Sequence, residues 1–303
     1  MPNHHLINPP IGRPEVRDVP WAQRRSYRLV QGASPSDTDG TESYFDVSSY
    51  TGVNSLPEAI MEFIAHRGSA DRVPENSFAG IHFTACYQIK QIECDVSVAS
   101  DGTAVIFHDK CLQRMTGDPR SVSSLAGHEL TQIPLVSHWP GPTQYIPLAK
   151  DWIREAARYG LFVHLEIKVH DQQVERAVEA ALEALDESGL LPSQVRVSSF
   201  SLDAIQLIRC RRPGLGLGLA ADKLSGVATE TLETLGLTSI HLDIRFLDPL
   251  AVELAADRGL KVCVYTVHSA RQLASLPVNL IDSVFTDDPV ALLDEMKTLK
   301  IFK

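Results

Sequence analysis

The sequence predicts a (β/α)₈ barrel, on three observations. Eight short apolar segments of strand-like length recur between residues 61 and 287. Several of the stretches between them repeat apolar residues at intervals of three and four, the period of an amphipathic helix. Strands that alternate with helices form βαβ units and a parallel sheet, and eight such units close into a barrel of about 250 residues.

The strands fall in order at MEFIAH (61–66), QIECDVSV (91–98), LFVHLEIK (161–168), QVRVSS (194–199), GLGLGLA (214–220), TSIHLD (238–243), KVCVYTV (261–267) and LIDSVFTD (280–287). Helical texture is clearest in VERAVEAALEALDES, LDAIQLIRCRR, LAVELAADRG and PVALLDEMKTL. Two regions break the alternation. Residues 1–57, proline-bearing and polar with few apolar runs, read as a loosely packed N-terminal extension to a barrel domain over 58–303. Residues 111–147, with prolines at 119, 134, 140, 142 and 147, read as a loop-rich insertion after the second strand region. Catalytic groups of such barrels sit at the C-terminal strand ends and in the loops that follow, so this insertion is expected to shape a site.

Composition narrows the function. A net charge of −10 and a pI near 5.5 argue against nucleic-acid binding, which calls for basic stripes. Small phosphorylated substrates need only a few local cations and stay allowed. Five scattered cysteines with no CxxC pair fit a reducing compartment. No run of about 18 apolar residues suggests a membrane span, and the first residues lack the apolar stretch of a secretory signal. A soluble, cytoplasmic protein without an integral membrane segment is the expectation.

The chemistry concentrates at strand ends. Glu93 and Asp95 stand two apart in an apolar strand, so they share one face, and carboxylates turned into a core cost several kcal/mol unless compensated. A cation is the simplest compensation. With Glu166 from the third strand they offer three hard oxygen donors, suited to Mg²⁺ or Ca²⁺, whereas Cys94 points to the opposite face and is no ligand. His66 and His108 follow the first and second strands and are the groups fitted to move protons near neutral pH. Arg67 beside His66 and Lys168 beside Glu166 are candidates to neutralise phosphate oxygens. His128, His138 and His164 read as structural or surface residues, and His268 as one that could reach the barrel mouth.

HRGSADRVPENS, QIECDVSVASDGTAVIFHD, EIK at 166–168, SFSLDA at 199–204 and VFTDDP at 284–289 resemble, in order and over roughly residues 62–295, the glycerophosphodiester phosphodiesterases. The resemblance implies a TIM barrel and hydrolysis of a glycerophosphodiester, a small-molecule substrate, to sn-glycerol 3-phosphate and an alcohol. It implies His66 and His108 as the acid/base pair, and Glu93, Asp95 and Glu166 as divalent-metal ligands. Arg67 then contacts phosphate, Lys168 is a second cation at the site, and Glu75 of PENS supports the first loop. It also implies a route in which the glycerol 2-hydroxyl attacks phosphorus and water then opens a cyclic phosphate. Two departures bear on substrate fit: Tyr265-Thr266-Val267-His268 stands where the family commonly reads W-T-V-N, and CYQIKQ replaces a glycine-containing run before the second strand.

Two other readings compete with this one. A phospholipase, of the lysophospholipase D type or inositol-specific, shares the barrel and the paired histidines; the acid trio favours a metal enzyme, and an acidic chain without a basic amphipathic helix favours soluble diesters. A catalytically silent phosphate-binding module would require a lost catalytic group, and none is missing.

Overall fold

The computed structural model describes residues 61–227, 232 and 234–299. The expected extension over 1–57 lies outside the described residues. Strands β1 (Glu62–Ala65), β2 (Gln91–Val98), β4 (Phe162–Ile167), β5 (Val195–Ser199), β6 (Gly216–Ala221), β7 (Ser239–Asp243), β8 (Lys261–Tyr265) and β9 (Ser283–Thr286) all pair in parallel with their neighbours. β1 bonds both β9 and β2, which closes the barrel. Strands covered on both faces are buried throughout, so even their polar residues, such as Glu93, Asp95, His164 and His241, lie out of solvent.

Helices α1 (Phe78–Cys86), α4 (Ala149–Arg158), α5 (Val174–Ser188), α6 (Leu202–Arg211), α7 (Pro249–Ala256) and α8 (Pro289–Leu299) lie outside the strands. In α5 the buried set includes Ala177, Val178, Ala181 and Leu185, one face at three- and four-residue spacing against the sheet. The expectation of eight helices is not met throughout. Two 3₁₀ turns, Ala270–Leu273 and Val278–Leu280, join β8 to β9, with Pro277, which has no N–H to donate, between them.

β3 (Ala104–Ile106), too short to read from sequence, runs antiparallel to β2 and carries the chain into the insertion. The insertion holds two one-turn helices, α2 (Gln113–Thr116) and α3 (Gly127–Leu130), over its own small core of Val105, Phe107, Leu112, Leu125, Leu130 and Ile146. It is loop-rich, as expected, but packed.

Strand parity sorts the side chains. Ile92, Cys94 and Val96 of β2 join the core shared with the helices, as do Val163, Leu165 and Ile167 of β4. Their alternates, Gln91, Glu93, Asp95, His164 and Glu166, point inward. The inward groups form two storeys. Lower in the barrel His164 Nε2 meets Gln91 Oε1 at 2.6 Å, His241 Nε2 meets Ser239 Oγ at 3.1 Å, and both rings pack on Phe285. His164 is thus structural, as read, and His128 and His138 lie exposed on the insertion. The acids sit above, toward the C-terminal strand ends.

Burial drives the His164 ring well below its ordinary value, and burial with the nearby Arg196 charge brings His241 to about 3. Both stay neutral in the folded barrel while their unfolded counterparts protonate below about pH 6.5. Stability is therefore complete above that pH and is lost as pH falls, by up to about 1.4 kcal/mol per pH unit for each ring. Urea midpoints measured from pH 7 to pH 5 should fall less steeply in His241→Gln than in the parent chain; parallel slopes would exclude this ring as a source of acid lability.

Candidate active site

His66, Arg67 and Gly68 form a tight turn directly after β1. Gly68 has φ +76°, and a Cβ there would stand 2.9 Å from the Gly80 Cα of α1, so neither glycine admits a side chain without displacing backbone. This close approach presses the turn onto the helix. Arg67, itself at φ 49°, then donates its backbone N–H to Glu93 Oε2 at 2.8 Å.

Asp95 is the most heavily contacted acid. Lys168 Nζ lies 3.0 Å from Oδ1, Arg67 Nε 3.3 Å from Oδ2, and Asn76 Nδ2 donates to Oδ2 at 2.9 Å. Asn76 Oδ1 in return accepts the Asp95 backbone N–H at 3.1 Å. The loop bearing Asn76 is fixed from behind, where the fully buried Trp152 of α4 donates Nε1–H to Ser77 O at 3.1 Å. Lys168 also bonds Glu166, and Arg67 Nη1 reaches Glu75 at 3.3 Å. All eight residues singled out in the sequence (His66, Arg67, Glu75, Glu93, Asp95, His108, Glu166 and Lys168) therefore gather at one barrel mouth.

Oxygens of Glu93, Asp95 and Glu166 all lie within 4.8 Å of one another, close enough to share one ion. Glu93 Oε1 is buried without a hydrogen-bond partner, an orphaned acceptor that a cation would satisfy. The side chains of Arg67 and Lys168 pair with Asp95 and Glu166 rather than with Glu93. Burial, and then the neighbouring Asp95, push the Glu93 carboxyl up to about 8. Asp95 is held well below the usual range, because Lys168 and Arg67 outweigh its burial. Three hard oxygen donors, one of them without a hydrogen-bond partner, fit a divalent cation of the Mg²⁺ or Ca²⁺ kind.

Each histidine is turned by a carboxylate. His66 Nδ1 lies 2.6 Å from Asp287 Oδ1, and its Nε2 is 4.0 Å from Glu93 Oε2. His108 Nδ1 lies 2.6 Å from Asp109 Oδ1. Burial depresses the His66 ring, but the Asp287 bond and the Glu93 charge prevail and raise it above its ordinary value. For His108 burial prevails, helped by Lys168 and Arg67, and its value falls despite Asp95.

Sequence reasoning assigned no role to Asp287, Asp109, Asn76 or Arg114. Asp287 and Asp109 stood in the quoted VFTDDP and HD segments, and Asn76 in PENS; Arg114 carried no signal. His268 does reach the mouth, with Nδ1 3.6 Å from Asp287 Oδ2, and forms with Asp71 and Asp287 a second, more exposed group of donors. Tyr265 closes the rim by standing edge-on to Phe200, ring centres 5.9 Å apart.

The model of the glycerophosphoryl diester phosphodiesterase family matches residues 66–291. A glycerophosphodiester phosphodiesterase of Caldanaerobacter subterraneus is 24% identical over 237 residues, covering 76% of this chain and 96% of that protein. One from Bacillus subtilis is 24% identical over 253 residues, covering 77% and 85%. Among solved structures, an Oleispira antarctica phosphodiesterase in complex with the product sn-glycerol-3-phosphate matches with a TM-score of 0.70 at 27% identity, covering 78% of this chain and 96% of that one. No helix among the described residues is long and apolar enough to cross a membrane.

A carboxyl with a value of about 8 carries its proton at neutral pH, so a cation bound at Glu93 must expel it. Calorimetric titration of the metal-free chain with Mg²⁺ or Ca²⁺, in buffers of different ionisation enthalpy, should show proton release near pH 7. The release should fade above about pH 9, with affinity rising between. Glu93→Gln should abolish it; binding of unchanged strength and proton count from pH 6 to 9 would remove Glu93 from the ligand set.

Proposed function

The chain belongs to the glycerophosphoryl diester phosphodiesterase family, and from that premise we propose that it hydrolyses glycerophosphodiesters to sn-glycerol 3-phosphate and an alcohol, with a divalent cation and two histidines. The observation that carries the proposal is the pairing of two carboxylate-oriented imidazoles with a three-carboxylate, two-cation cluster. In both rings Nδ1 is committed to an acid, which leaves Nε2 for proton transfer.

Glu93, Asp95 and Glu166 would hold the cation, which when bound supplies Lewis-acid polarisation of substrate oxygens. Arg67 and Lys168 do the remaining electrostatic work. The Lys168 ammonium has three N–H donors, two of them directed to Asp95 and Glu166, so one remains for a phosphoryl oxygen. Arg67 donates Nη1 to Glu75 and stands with Nε 3.3 Å from Asp95 without a hydrogen bond, which leaves its Nη2 edge for the same phosphate.

The histidines carry the protons. One imidazole takes the proton of the glycerol 2-hydroxyl as its oxygen bonds to phosphorus, and the other protonates the departing alkoxide as its bond to phosphorus breaks. A water then opens the cyclic phosphate with the two roles reversed, which returns both rings to their starting states. The opposite displacements of the His66 and His108 values suit this division, His66 being the ring that holds a proton more readily. All five cysteines are free thiols, which supports placing the enzyme in a reducing compartment, the cytoplasm.

Dialysis against EDTA should abolish release of glycerol 3-phosphate from glycerophosphocholine, and Mg²⁺ or Ca²⁺ should restore it; activity indifferent to chelation would sink the metal assignment. His66→Ala and His108→Ala should each lower turnover by roughly 10²- to 10⁴-fold with the thermal midpoint little changed. Either variant turning over at the parental rate would take that histidine out of the mechanism.

A further inference from the structure

We propose that Arg114 is a positioning residue that braces both halves of the site, fixing the carboxylate behind His108 and the carboxylate behind Arg67 with a single guanidinium. This rests on the hydrolase reading above and assigns a task to the insertion. Arg114 belongs to α2, outside the barrel, yet its Nε lies 2.6 Å from Asp109 Oδ2. Its Nη1 and Nη2 lie 2.7 Å from the two oxygens of Glu75, a residue 39 positions earlier in the chain. The other oxygen of Asp109 is the one at His108 Nδ1, and Glu75 is the acid that receives Arg67 Nη1.

The contacts form one unbroken path from His108 through Asp109, Arg114 and Glu75 to Arg67. Only a planar fork spans it, because three parallel donors must meet three oxygens on two residues; an ammonium meets them one at a time. Stability is not its main return, since Arg114 is 46% exposed and bridges at such sites contribute little. What the fork supplies is direction. Asp109 bonded to both Arg114 and His108 cannot rotate without breaking one contact, so the imidazole plane is fixed. Glu75, held by two guanidinium groups, likewise keeps Arg67 turned toward the acids.

The test uses Arg114→Met, Arg114→Lys, Asp109→Asn and the Arg114→Met/Asp109→Asn pair, assayed on glycerophosphocholine, together with NMR titration of the His108 ring. Arg114→Met should lower kcat by about 10- to 100-fold and raise KM a few-fold, the first through His108 and the second through Arg67. Arg114→Lys should recover only part of the loss. His108 faces Asp95, Lys168, Arg67 and Asp109; with Arg114 gone, Asp109 turns its charge undivided on the ring, so the His108 titration should move to higher pH. In the double variant kcat should equal that of Asp109→Asn alone. Parental kcat with an unmoved His108 titration in Arg114→Met, or losses that multiply in the double variant, would overturn the brace. Should Arg114→Met not fold, Arg114→Lys and Asp109→Asn carry the same comparison. A parent chain inactive on every glycerophosphodiester would defeat the hydrolase reading, whereas the NMR shift judges the brace without reference to activity.

Discussion

Two carboxylates buried on the same face of one strand set the terms for everything around them. Glu93 and Asp95 are 3% and 1% exposed, and acids so placed are costly unless each oxygen has a donor or a cation. The surrounding structure answers atom by atom: the Arg67 backbone and guanidinium, the Lys168 ammonium and the Asn76 amide. For the Arg67 N–H to reach Glu93, the chain after β1 must turn through left-handed backbone at Arg67 and Gly68, and that turn fits only because α1 presents Gly80. A helix glycine and a loop arginine thus trace to one pair of acids. Glu93 Oε1, the one oxygen of these two acids without a hydrogen-bond partner, marks where the compensation from the protein stops.

The histidines depend on the same cluster from opposite sides. Asp287 and the Glu93 charge act on His66, whereas Lys168 and Arg67, recruited to hold Asp95, lie close enough to lower His108. Burial lowers both rings; at His66 the Asp287 bond overcomes it, and at His108 Lys168 and Arg67 add to it, so the two values move in opposite directions. Such separation distinguishes a working acid/base pair from two histidines in ordinary surroundings.

Much of this could be read from the chain, for a physical reason. A parallel barrel buries its strands on both faces, so all eight appear as apolar runs, and an acid two positions from another within such a run is conspicuous. Glu93, Asp95 and Glu166 were legible on that ground, as were the rings and cations at strand ends. The strand β3 was not, because three residues give no period. Asp287 had no role in sequence because it meets His66 across 221 residues, a contact made only by barrel closure. Arg114 looked like one charge among many in a loop-rich insertion, and only the fold shows two acids converging on it.

The position of the departures from the family pattern follows from these constraints. Tyr265 and His268 stand on the rim, the first beside Phe200 and Asp222, the second beside Asp71 and Oδ2 of Asp287. Val267 between them is fully buried and donates its N–H to Phe285 O at 2.8 Å, so the backbone of the segment is tied to β9 whatever the rim side chains are. A change at Tyr265 or His268 alters what borders the mouth without moving a carboxylate of the cluster. A change at Asp95, Arg67 or Lys168 would strand a buried charge, at a cost of several kcal/mol. The same electrostatics that make the floor of the site rigid leave the rim free to differ, so variation in substrate fit belongs to the rim and the reaction to the floor.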